Sequence, residues 1–337
     1  MTPVPRAFVV AEAGVNHDGD IAAAEALIDA ARDAGADAVK FQTFRADSIA
    51  SDAAALAPYQ AAAGERGGQR EMLARLELDE AAHRRLMERA RSAGIEFLST
   101  PFDADSADML ERLGMARFKI PSGEITHRRL IEHVARKGKP LILSTGMSDL
   151  DEVRRAIGWI RAVSQSPLTL LHCVTEYPAP PSQVNLRAMD SLREAFGLPV
   201  GYSDHTLGDE IALAAVARGA VLIEKHLTLD RRRPGPDQAA SLEPSEFKAL
   251  VARLRSVESS LGDGVKRAAP CELKNIAVAR RRLVAARDLP AGSVLGEADV
   301  AAKRPADGIS PADVERVVGR SLKRALRRDE PFSEDVL

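Results

Sequence analysis

The chain has 337 residues, 45% hydrophobic and 28% charged, with a formal net charge of -2. That balance suits a full hydrophobic core in one large domain plus a small one, and gives no reason to expect a nucleic-acid or other polyanionic partner. Cys173 and Cys271 stand far apart without CxxC spacing, which argues against a disulfide framework and fits a reducing compartment.

The opening MTPVPRAFVVAEAGVN reaches Glu12 too early for a secretory signal, and no run approaches the roughly 18 apolar residues of a membrane span. A cytoplasmic protein without a membrane partner is expected. FVVAEA (8–13) reads as the first strand. Residues 20–34 then read as a helix, with Asp20 as N-cap, Ile21, Ala24, Leu27, Ile28 and Ala31 on one face, and Gly35 as the stop. DAVKFQT (37–43) is the second strand. Residues 45–78 form an unusually long insertion, helical-looking at 69–77, of the kind that serves as a lid or substrate wall.

The helix–Gly–strand punctuation recurs at Gly94 before IEFLST, Gly114 before ARFKI, Gly138 before PLILST and Gly219 before AVLIEKH. LTLLHC (168–173) and PVGYSD (199–204) complete eight strands, each followed by a helix. Such alternation predicts a parallel sheet with helical crossovers, closed as a (β/α)8 TIM barrel whose active site lies at the C-terminal strand ends. A doubly wound open sheet is the alternative, but GVNHDG after the first strand is not GxGxxG. The barrel is assigned to residues 1–261. GDGVKRAAPCELKN (262–275) breaks the rhythm as a linker, and 276–337 form a small unit with short strands and a short helix near 311–318. So small a unit has a thin core.

Polar residues where strands end are the informative ones, because the interior of a packed barrel should be apolar. A helix over 207–218 carries the chain back between the last two strands, so His205 and His226 come side by side at one end of the sheet, a natural pair of metal ligands. Lys40 and Lys119, with Thr100, Ser122, Ser144 and Ser203, suit a small phosphorylated anion. Gln42 points the same way as Lys40, and Thr175, Tyr177 and Asp237 follow later strands. Glu12 and Glu124 are candidate acid–base groups, each weighed against a structural acceptor role. His17, His83, His127 and His133 have no partner spacing. His172 reads as a core histidine, Cys173 as a buried small hydrophobe, Met147 and Trp159 as packing residues, and Arg231–Arg233 as a solvated charge run.

Together the segments AEAGVNHDGD, ADAVKFQTF, EFLSTPFD, FKIPSGEI, ILSTGMS, LHCVTEYPAP, GYSDHTLG, EKHLTLD with GPDQAASLEP, and VAAKRPADGISP resemble the bacterial sialic acid synthase family over nearly the whole chain. The resemblance implies a (β/α)8 barrel with a C-terminal antifreeze-like (SAF) domain. It also implies condensation of phosphoenolpyruvate with an N-acetylated amino sugar to a nine-carbon 2-keto acid. By motif, His205 and His226 would hold a divalent metal, manganese first, with magnesium or cobalt as alternatives. Lys40, Thr100, Lys119, Ser122, Ser144 and Ser203 would bind phosphoenolpyruvate, and Glu12, Glu124, Gln42, Thr175, Tyr177 and Asp237 would address the sugar or the reacting centre. Arg304, in KRPADG, matches an arginine that reaches the partner's sugar site in homodimers with exchanged C-terminal domains. VTEYPAP, with Thr175 where other members have asparagine, favours N,N'-diacetyllegionaminate as product over N-acetylneuraminate made from N-acetylmannosamine. Two rivals are a related phosphoenolpyruvate-using barrel aldolase, which the KRPADG module disfavours, and an inactive carbohydrate- or ice-binding protein, which the ring of ionisable residues disfavours.

Overall fold

The structure, a computed structural model, describes residues 6–62, 64, 66–304 and 307–337. The first five residues, and Pro305–Ala306 of the KRPADG motif, lie outside the described residues. The chain divides into two compact units, 1–263 and 264–337.

The first unit is an eight-stranded parallel barrel. Its strands are β1 (Phe8–Gly14), β2 (Ala38–Thr43), β3 (Glu96–Pro101), β4 (Phe118–Ile120), β5 (Leu141–Ser144), β6 (Leu168–Cys173), β7 (Val200–Asp204) and β8 (Leu222–His226). The hydrogen-bonded order runs β3-β2-β1-β8-β7-β6-β5-β4, and β3 lies beside β4 to close the ring. All eight expected strands are present within two residues of their expected bounds. The local signals act as read: the Asp20 carboxylate accepts from Ala22 N–H at 2.8 Å and caps the helix Ile21–Asp33. Leu27, Ile28 and Ala31 of that helix are fully buried against the sheet. The crossover expected over 207–218 is shorter, Glu210–Ala217, because residues 206–209 stay in the loop that carries His205.

Side chains of a strand alternate between faces, so every second residue enters the barrel. The innermost level is apolar: Val10, Ala38, Leu98, Ile142, Leu171 and Leu222, each at most 4% exposed. A Cβ at Gly201 would stand 2.5 Å from Leu222 O and 2.7 Å from Leu171 Cδ2, so only glycine lets β7 close against its neighbours.

The insertion folds as three short helices, Ala46–Ile49, Pro58–Ala62 and Gln69–Leu76. Val15, Phe44, Met72 and Leu76 form a small buried cluster apart from the main core. Trp159 packs on the main core as expected, whereas Met147 does not: it is 68% exposed with φ +60°. Sequence reasoning treated Met147 by hydrophobicity alone, but the turn after β5 aims it outward.

In the second unit β9 (Arg282–Ala285) pairs antiparallel with β10 (Val300–Lys303), and a 3₁₀ segment spans Pro311–Arg316. Its core is small, with Leu283, Ala285, Leu289, Val317, Phe332 and Val336 at 3% exposure or less. Residues 270–279, partly assigned to the linker, are helical.

Candidate active site

Two residues beyond each member of the apolar level the same strands turn polar. Val10, Ala38, Leu98, Ile142, Leu171 and Leu222 are followed at that spacing by Glu12, Lys40, Thr100, Ser144, Cys173 and Glu224. The polar level therefore lies at or just within the C-terminal ends of the strands, as expected: Ser144 and Cys173 are the last residues of β5 and β6. With Lys119, Ser122, Ser203, His205, His226, Gln42, Thr175, Tyr177 and Asp237 it lines a cavity of about 370 Å³. Every barrel residue proposed from sequence to hold substrate or metal lines this cavity except Glu124. The Glu124 carboxylate instead accepts from His127 Nδ1 at 2.6 Å, in the 3₁₀ turn after β4, and is not part of the cavity wall. Arg304 lies in the second unit and is exposed.

The floor is an ionic network. Lys40 Nζ stands 2.6 Å from Glu12 Oε2 and 3.7 Å from Glu224 Oε2, and donates to Thr100 Oγ1 at 3.0 Å. Lys119 donates to Glu224, as does Ser203 Oγ at 3.0 Å. Burial pushes Glu12 up from the ordinary carboxylate range even beside Lys40, with Glu224 adding to the rise. Glu224 is as deeply buried, yet Lys119 and Lys40 together hold it ionised and well below that range. Sequence reasoning missed Glu224 because it stands within the strand behind Leu222 and Ile223, before the strand end that His226 marks. The usable signal was its two-residue spacing from His226, which puts both on one face.

Lys225 points the other way, fully buried, and donates to Asp204 Oδ2 at 2.8 Å and to Thr206 O at 2.5 Å. Asp204 also accepts from Thr206 N–H at 2.9 Å. This outer network clamps the turn that carries His205. The His205 Nδ1–H donates to Val174 O at 2.6 Å, which fixes the tautomer and leaves Nε2 unprotonated. Tyr177 stacks on His205 with ring centroids 4.2 Å apart, and the two imidazoles are 5.5 Å apart. Burial brings His205 down to about 4 and lowers His226 well below its ordinary value, so both are neutral at physiological pH.

Asp237 completes the upper rim. Its Oδ2 is 3.8 Å from His226 Nδ1, and burial followed by the Glu12 charge raises its carboxyl to about 7. Gly14, at φ +51°, sits where Glu12, Asp237 and Gln42 converge. A Cβ there would lie 3.3–3.4 Å from all three, so its absence keeps the space between them open.

Whether these residues fit a divalent ion turns on the two imidazoles. Among the described residues His226 Nδ1 is buried with no hydrogen-bond partner, and His205 Nε2 has only a long 3.4 Å contact to Ser203 Oγ, whose proton goes to Glu224, so two neutral nitrogen donors face one cavity. Among the described residues no third His, Cys, Asp or Glu joins them to make a closed ligand set. The pair suits an open site with positions left for substrate. Ser144 Oγ is likewise buried in the cavity wall without a partner.

The remaining histidines and basic residues have structural surroundings. His172 Nε2 donates to Val184 O at 2.7 Å on the outer face of β6, as a core histidine would. Cys173 is buried as expected but lies on the cavity side, 3.1 Å from Ser122 Oγ. Arg231 and Arg232 pair with Glu246 and Asp230 at the surface.

Comparison with known proteins agrees with this architecture. Residues 27–266 match the NeuB family and residues 280–337 match the SAF domain. The chain is 47% identical to the N,N'-diacetyllegionaminic acid synthase of Campylobacter jejuni, covering 98% of this chain and 99% of that one. It is 48% identical to the synthase of the same name from Legionella pneumophila, covering 95% and 91%. The crystal structure of the Leptospira borgpetersenii N-acetylneuraminic acid synthetase superposes with a TM-score of 0.72 at 36% identity, covering 81% of this chain and 91% of that one. The chain belongs to the NeuB family, with a SAF domain at its C-terminal end.

Proposed function

We propose that this protein is a phosphoenolpyruvate-dependent synthase that makes N,N'-diacetyllegionaminate from 2,4-diacetamido-2,4,6-trideoxymannose. The observation that carries the reading is the convergence, in one cavity, of two buried ammonium groups and several hydroxyls with two neutral imidazoles. Near-full-length identity of 47–48% to two N,N'-diacetyllegionaminic acid synthases supports the choice of product.

Lys40 and Lys119, with Thr100, Ser122, Ser144 and Ser203, bind phosphoenolpyruvate. Glu224 positions both ammonium groups by accepting from one and lying 3.7 Å from the other. C3 of phosphoenolpyruvate attacks the aldehyde carbon of the open-chain sugar. Water adds at C2, where positive character develops, and phosphate leaves by C–O cleavage. The lysines stabilise the leaving phosphate, a preorganised charge arrangement that needs no rearrangement during reaction. Asp237, with its carboxyl raised to about 7, can carry a proton beside the reacting carbons near neutral pH, and Glu12, held above the ordinary carboxylate range by burial, is the second acid–base group. Gln42, Thr175 and Tyr177 address the sugar.

NeuB-family synthases are generally metal-dependent, and His205 and His226 would hold the ion, manganese in our reading. When bound, a divalent ion supplies Lewis-acid polarisation of a carbonyl oxygen, worth several kcal/mol. Glu124 is not carried into this mechanism, because its carboxylate is turned to His127. Residues 262–275 serve as the linker, and the SAF domain of each subunit in a homodimer supplies Arg304 to its partner's sugar. The test is mass spectrometry of products from phosphoenolpyruvate, manganese and a panel of N-acetylated hexoses. A nine-carbon keto acid with stoichiometric phosphate is expected; no such product from any sugar would overturn the reading.

A further inference from the structure

We propose that the insertion between β2 and β3 is a specificity wall for the far, C6 end of the amino sugar. Together with Phe102, just after β3, it selects a methyl over a hydroxymethyl group through Ile49 and Leu73. The inference rests on the synthase reading above and adds which part of the sugar is recognised, and by what.

The cavity has two chemically distinct sides. The floor is almost wholly ionic and hydrogen-bonding, whereas the wall contributed by the insertion and its neighbours is mostly apolar, with the amides of Gln60 and Gln69 as its polar members. In the helix Gln69–Leu76, the residues Gln69, Met72, Leu73 and Leu76 line the cavity, the i, i+3, i+4, i+7 face of that helix. Met72 and Leu76 are 2% exposed and serve as backing. Leu73, Ile49 and Phe102 are only partly buried, pack on that backing and also border the cavity, so apolar surface remains uncovered there.

The wall is held rather than loose. Arg70 pairs with Asp47 at 2.6 Å, and Ala46 N–H donates to Glu77 Oε1 at 2.5 Å, which ties the helix bearing Leu73 to the segment bearing Ile49. Phe44 meets Phe102 edge-to-face with centroids 6.0 Å apart, fixing the Phe102 ring.

Substrate geometry assigns the occupant. The aldehyde carbon C1 must lie at the floor, among the lysines and imidazoles, so C6 is the end of the chain furthest from it. A methyl there loses nothing on contact with Ile49, Leu73 and Phe102. A hydroxymethyl seated on those three side chains would bring a hydroxyl against carbon that offers it no hydrogen bond. An apolar pocket discriminates against such a hydroxyl by roughly 10- to 100-fold.

The test compares kcat/KM for two sugars that differ only at C6, N-acetylmannosamine and its 6-deoxy analogue, in the wild type, Leu73→Asn and Ile49→Thr. The wild type should prefer the 6-deoxy sugar by roughly 10- to 100-fold. Each variant should lose most of that preference while its KM for phosphoenolpyruvate stays unchanged, and a circular-dichroism melt checks that it is folded. A wild-type ratio near one, or folded variants that keep the wild-type ratio, would overturn the wall. Failure of the wild type to turn over any N-acetylated hexosamine would overturn the synthase reading, and this inference with it.

Discussion

Lys40 and Glu12 meet at 2.6 Å on paired positions of adjacent strands, each side chain only 3% exposed. A charge at that depth survives only because its partner is there, since an uncompensated buried ion costs several kcal/mol. Lys40→Met leaves Glu12 without its partner and Glu224 with only Lys119. It should lower stability by about 3–5 kcal/mol. Adding Glu12→Gln should recover part of that loss without restoring activity, because the ammonium that binds substrate is still missing. Urea unfolding of both variants, with phosphoenolpyruvate titrations, checks this; a single variant as stable as the wild type would show that the pair is dispensable for folding.

Chelation should abolish turnover and manganese should restore it. His205→Ala should lower kcat far more than it changes KM for phosphoenolpyruvate, because a polarised carbonyl matters most in the transition state. Calorimetry should show weaker manganese binding in the same variant. Undiminished manganese affinity together with full activity would rule out the two-histidine site.

His17 is fully buried, with a pKa lowered to about 4 by burial and then by His83. The unfolded chain takes up a proton near pH 6.5, whereas the folded chain resists until about 4. This contribution to stability is therefore present above about pH 6.5 and is lost as pH falls towards 4. The loss from His17 is on the order of 3 kcal/mol. His83 and His172, also lowered by burial, act in the same direction. Denaturation midpoints measured from pH 7 to 4 should fall less steeply for His17→Asn than for the wild type, and parallel curves would contradict the assignment.

Exchange of the C-terminal domains is tested by mixing subunits. An Arg304→Ala chain and a His205→Ala chain, each nearly inactive alone, should regain part of the activity in verified heterodimers, where one intact barrel is served by one intact SAF domain. No recovery would mean that each domain serves its own barrel. Arg304→Ala alone should impair sugar use more than phosphoenolpyruvate binding, since a guanidinium suits an acetamido carbonyl.

The strands and their order of use were legible because they depend on local signals. Glycine stops, the Asp20 cap and period-2 apolar runs act within a few residues. The same period placed Lys40 with Gln42, and the matching strand ends placed His205 beside His226. Glu124 lies outside the cavity lining for the complementary reason. It follows a strand closely in sequence, but the 3₁₀ turn Ser122–Glu124 rotates its carboxylate towards His127, and nothing in PSGEI announces that rotation.

By itself, the sequence determined which residues alternate inward and, to within two residues, where each strand lies, because side-chain direction in a strand follows from backbone geometry alone. Only the tertiary structure decided which inward residues share a level. Closing the ring brought Glu224 of β8 to Lys40 of β2 and Lys119 of β4, 184 and 105 positions away. Packing of the insertion beside the ends of β2 and β3 likewise brought the dispersed Ile49, Leu73 and Phe102 into one cluster. Ionisation and specificity live in those long-range contacts, since burial and neighbouring charge, not residue type, set the protonation of Glu12, Glu224 and Asp237.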